Sequence, residues 1–148
     1  MKQTEALPTE SVASILERDL NAVIQRWISL VEQNHDLTVV PLSIKDRAAH
    51  LPKLIQDLIT RLRLPKSAIA LDSLSAREHG ELRHKQGYTV PMVVDESRLL
   101  QVSIFSTLHD NVRTVDLSTL LLDVITIADE VDSQLKQSAT RYMESAAA

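Results

Sequence analysis

Apolar residues recur along this chain at intervals of three and four, the mark of helices that bury one face. The first such stripe is Val12, Ile15, Leu16, Leu20, Val23, Ile24, Trp27, Leu30 and Val31. It predicts a helix from about Thr9 to Gln33, with Thr9 behind Pro8 as its cap and Asn34-His35-Asp36 as its stop. Ser43 with Asp46 predicts a second start. Pro52 then interrupts the pattern, so a short helix near residues 44–50 breaks or kinks before the stripe Leu51, Leu54, Ile55, Leu58, Ile59 and Leu62. Pro65 closes that region.

A third helix is expected from about Ser73 to Gln86, with Gly87 as a left-handed stop. It is unusually polar, with little apolar beyond Leu74 and Leu82. A helix of this kind is either solvated or spends buried polar groups on something specific. A fourth helix starts at Thr89 with Pro91 in its first turn and runs to about His109. The last begins near Asp116 and continues toward Glu144. Its positions Leu117, Leu121, Val124, Ala128, Val131, Leu135, Ser138 and Tyr142 step 4-3-4-3-4-3-4, a heptad seam. Leu120, Leu122, Ile125 and Ile127 widen the apolar face only in the first half. The expectation is that the first half packs in the domain while the second projects and pairs with another helix.

Composition agrees with an all-α domain. The chain has 148 residues but only 2 glycines, where average usage gives about ten. So few glycines argue against sandwiches, barrels and glycine-rich phosphate loops. The expected architecture is a bundle of five to six helices with a long projecting C-terminal helix. Residues 1–8 are expected to be disordered, 9–131 to form the domain, and 132–148 to form a coiled-coil-like connector.

Chemistry is narrowed mostly by exclusion. No cysteine is present, which removes disulfides, thiol nucleophiles and cysteine-held metals. A net charge of −4 with scattered signs leaves no footprint for nucleic acid. No apolar run reaches the ~18–20 residues needed to span a bilayer, and no signal segment is visible, so the sequence reads as cytoplasmic. Serines are plentiful, but none lies in a nucleophile elbow. Glu32-x-x-His35 and Glu81-x-x-His84 have the spacing of di-iron ligands, with Glu96 and Glu130 as the further carboxylates. His35, however, is expected beyond its helix. His79, His50 or His109 could each serve as a lone axial haem ligand. The sequence reading assigns no catalytic residue, no cofactor and no metal.

One constellation stands out: His79, Gly80, Arg83, Gly87, Tyr88 and Glu96. His79 and Arg83 are four apart and share a helix face. Gly80, inside a helix, implies close approach of another backbone. Glu96 on the next helix can meet Arg83. An internal Arg–Glu staple at a helix crossing is preferred to a ligand pocket.

The run Ala76-Arg77-Glu78-His79-Gly80-x-x-Arg83-x-x-x-Gly87-Tyr88, followed by Glu96 and Leu99-Leu100, resembles the RsbRD N-terminal domain family. These are helical input domains of bacterial signalling proteins, placed before histidine kinase, phosphatase or anti-sigma-antagonist modules. Residues 9 to 143 fit the expected span, largely as hydrophobic pattern. The resemblance implies a non-catalytic sensory or regulatory domain, globin-like, without haem, and homodimeric through its first and last helices. By the same resemblance, the helix after Val131 leads to an output module of the same polypeptide. Two other readings stay open: a haem- or ligand-binding sensor, and a helical adaptor for a protein partner.

Overall fold

The computed structural model describes residues 8–148. The expected disorder of the N-terminus falls almost wholly outside them. Among the described residues the chain is all-α, with no β-strand. Its helices are α1 (Val12–Arg18), α2 (Leu20–Glu32), α3 (His35–Thr38), α4 (Ile44–Ala48), α5 (Leu51–Leu62), α6 (Leu74–Lys85), α7 (Val90–Asp110) and α8 (Leu117–Ala147).

Local chemistry explains most of these boundaries. The single expected first helix is interrupted at Asp19, whose carboxylate pairs with Arg18 and accepts from Asn111 Nδ2 at 3.1 Å. The true cap is Ser11, whose hydroxyl accepts from Ser14 N. Ser43 caps α4 through Asp46 N, as the spacing implies. Pro52 lies in the first turn of α5, where its missing N–H costs nothing, so it starts a helix here. Gly87 has φ +86°, the left-handed stop expected after α6. Before α1, the backbone of Glu10 bonds to Thr114 and Asp116, tying the chain entry to the α7–α8 turn.

A core of Val, Leu and Ile side chains gathers around Trp27, which is fully buried. α8 makes its most extensive packing against α6. At their crossing, a Cβ on Gly80 would lie 2.0 Å from the carbonyl oxygen of Ser138. Only glycine allows the two backbones to come this close. Ser138 Oγ also donates to the Ala76 carbonyl at 2.7 Å.

The long last helix is present and its first half buries Asp123, Ile127 and Glu130 as part of the domain, but the rest of its burial departs from expectation. The first half exposes Leu117, Leu121, Leu122 and Ile125, while Val131, Gln134 and Ser138 are buried and Leu135 and Tyr142 are partly so. Residues 132–142 are therefore part of the domain and not a free connector. The apolar seam narrows after Val131 because buried polar residues take over the packing. Gln134 Nε2 donates to the Leu54 carbonyl at 2.9 Å. Gln137 donates to the Leu71 carbonyl and accepts from Ser73 N. These bonds fix the segment between α5 and α6 onto α8.

Candidate functional site

The polar helix α6 spends its polar groups inside the molecule. His79, Gly80 and Arg83 are buried on its inner face, and Arg83 is fully inaccessible. Glu96, in the second turn of α7, faces them. Arg83 Nε donates to Glu96 Oε1 at 2.9 Å, and a terminal nitrogen donates to Oε2 at 3.1 Å. This two-pronged geometry suits a guanidinium and a carboxylate. Arg83 also donates to the Arg47 carbonyl at 2.6 Å and to Gln86 Oε1 at 2.7 Å. Tyr88, just past the Gly87 turn, donates its hydroxyl to Glu96 Oε2 at 2.8 Å, and the Arg83 guanidinium lies 4.5 Å from its ring centroid. Burial, then the Glu96 charge, pushes the Tyr88 phenol up to about 12. It stays a proton donor at neutral pH.

The six residues singled out by sequence divide between two jobs. His79, Arg83, Tyr88 and Glu96 form one cluster, Gly80 sets the α6–α8 contact, and Gly87 supplies the turn that brings Tyr88 back. Three participants escaped the sequence reading. Arg47 of α4 donates to Tyr88 Oη at 2.5 Å and to the carbonyls of Leu37 and Val40. Trp27 Nε1 donates to the Glu96 carbonyl at 3.0 Å. His50, considered only as a lone haem ligand, stacks on His79 with ring centroids 3.6 Å apart and planes 12° apart, and meets Trp27 edge-on at 5.6 Å. Tyr142, assigned to the seam, donates its hydroxyl to the Tyr88 carbonyl and sets its ring against His84.

The two stacked histidines are the unusual feature. The Nδ1 atoms of both are buried without a hydrogen-bond partner. His79 Nε2 stands 3.6 Å from Glu96 Oε1, outside hydrogen-bond range. Burial first of all holds both imidazoles below the usual histidine value. His79 and Arg83 push His50 further down, while Glu96 partly offsets the effect at His79. Beside them is a cavity of about 20 Å³, lined among others by Val93, Leu100, Val131, Gln134 and Ser138. That is room for about one water molecule and far too little for a porphyrin.

The di-iron spacing does not converge on one centre. Glu81 pairs with Arg141 and Lys85, and His84 meets Tyr142. Glu130 is buried elsewhere, accepting from Leu71 N at 2.8 Å. No protein-family model, no curated protein and no solved structure matches the chain. Among the described residues, no helix is long and apolar enough to cross a membrane.

Proposed function

We propose that this chain is a non-catalytic regulatory or sensory input domain of a bacterial cytosolic signalling protein, acting through dimer packing and its last helix. The observation that carries the reading is the division of labour along α8. Its first half presents Leu117, Leu121, Leu122 and Ile125 to solvent. Its second half is locked on α6, beside the His79–Arg83–Glu96 cluster. One helix thus joins an apolar face suited to a second copy with a buried polar cluster, and runs on to the end of the chain. A shift or rotation of such a helix is a common way to carry a signal. The motif around His79, with its resemblance to RsbRD N-terminal domains, supports the same reading and a globin-like dimer. It also supports an output module of kinase or anti-sigma-antagonist type.

The seam of the dimer moves in consequence. Val131, Leu135 and Tyr142 are occupied within the domain, so the pairing positions are Leu117 and Leu121 with their neighbours Leu122 and Ile125. α1 and α2 expose no large apolar side chain, which leaves the last helix as the main contact. Sedimentation of the wild type at micromolar concentration is expected to give a dimer. Leu121→Asp with Ile125→Asp is expected to give a monomer with unchanged helical circular dichroism. A wild-type monomer at 100 μM scale, or a double variant that stays dimeric, rejects the reading.

A further inference from the structure

We propose that His50, His79 and Glu96 form a binding site for a divalent first-row transition-metal ion of the zinc or iron class. The inference stands on the geometry of three helices and does not depend on the dimer.

Each side chain offers one ligand atom, and the three atoms lie within 4.8 Å of one another. Bonds of about 2.0–2.1 Å in a tetrahedral shell place ligand atoms about 3.4 Å apart. His79 Nε2 and Glu96 Oε1 are 3.6 Å apart, close to that spacing and too far for a hydrogen bond. Coordination by all three requires the His50 nitrogen to close by at most about 1.4 Å and the parallel His50–His79 stack to open.

The hydrogen-bond pattern points the same way. Buried polar atoms nearly always have partners, and exceptions call for a reason. Here His50 Nδ1 is one of the orphaned buried side-chain atoms among the described residues, while the orphaned Nδ1 of His79 is the other ring nitrogen from the Nε2 that faces Glu96 and is not a ligand. Glu96 accepts three hydrogen bonds, one at Oε1 and two at Oε2. A carboxylate has about four acceptor positions, so the remaining one is on Oε1, the oxygen nearer His79. Arg83 and Tyr88 hold that carboxylate in place, as outer partners do around metal ligands. Two imidazoles and one carboxylate form the ligand set of catalytic zinc and non-haem iron centres, and favour transition metals over calcium or magnesium. The adjoining cavity, lined by Gln134 and Ser138, has room for a water as fourth ligand. Because His50 caps α5, His79 lies on α6 and Glu96 on α7, the ion would tie three helices together.

The test uses the full chain without a polyhistidine tag, stripped with chelator and titrated with Zn²⁺ by calorimetry. The sole tryptophan, Trp27, lies beside His50, so its emission reports locally. The expected result is one ion per chain, a change in Trp27 emission that saturates with it, and a raised melting temperature. His50→Gln and His79→Gln are each expected to weaken binding at least tenfold. A triple variant with His35, His84 and His109 changed to Gln is expected to bind like the wild type. Should both single variants fail to fold, Co²⁺ on the wild type decides through tetrahedral absorption bands titrating together with Trp27 emission. Absence of binding, binding without a Trp27 response, equal binding in the single variants, or loss in the triple variant each overturns the proposal.

Discussion

Gly80 and Ser138 meet backbone to backbone, with no room for even a methyl group between them: a Cβ at position 80 would sit 2.0 Å from the Ser138 carbonyl oxygen and 2.8 Å from its Cα. The obstacle is main chain on both sides, so no rotamer relieves it. Gly80→Ala is expected to force α6 and α8 apart and to cost about 1–3 kcal/mol or more, despite alanine's better helix propensity. Urea unfolding checks this. Gly87→Ala is the useful contrast, because its Cβ would meet nothing within 4 Å and φ is +86°. Only backbone strain of about 1–2 kcal/mol is expected there. A Gly80→Ala protein as stable as the wild type would mean the two helices are not in this register.

Arg83 and Glu96 are buried together, so removing either one strands the other. Single substitutions Arg83→Met and Glu96→Gln are each expected to destabilise by about 3–5 kcal/mol. The double variant is expected to lose less than the sum, with coupling of at least about 0.5 kcal/mol in a double-mutant cycle. Strict additivity of the unfolding free energies would show that the two side chains do not meet.

Removing residues 136–148 deletes Gln137, Ser138 and Tyr142 and uncovers the groove at Gly80. If those residues were a free connector, the domain would keep its stability. The packing of α6 on α8 predicts instead a melting temperature lower by many degrees. Fast amide exchange along α6, measured by mass spectrometry, is expected with it. Retained protection in α6 would count against the packing described.

Helix identity was legible in the apolar spacing and in caps such as Ser43 and Gly87, because these signals act within a few residues. The Arg83–Glu96 pair was legible too, since the two residues are only 13 apart in the chain, on either side of the Gly87 turn. His50 and Arg47 were not, because their partners lie tens of residues away and no local pattern marks a histidine that will stack on another. The last helix misled for a physical reason. Apolar content alone does not measure burial here, because Gln134, Gln137 and Ser138 pack by satisfying backbone groups of α5, α6 and the segment between them. The exposed leucines at its start carry the same spacing as core positions, and sequence does not reveal which apolar face lacks a cover.

Glu130 gives a pH test away from the histidines. It is fully buried, accepts from Leu71 N at 2.8 Å, and has Arg61 only at 3.7 Å. Burial raises its carboxyl above the ordinary value of 4.5. The Leu71 amide and Arg61 oppose the shift, and the charges of Asp57 and Asp129 add to it. A carboxyl raised in the folded state is one whose ionisation the fold disfavours. Its contribution to stability is therefore fully present below pH 4.5 and lost as pH rises through the raised value. Glu130→Gln keeps an oxygen for Leu71 N and removes the titration. The variant is expected to gain on the wild type between pH 4 and pH 7, whatever its stability at either end. Other groups titrate over that range in both proteins, but independent contributions cancel in the difference. A difference in melting temperature that is flat across the range would mean Glu130 ionises as readily in the fold as in the unfolded chain.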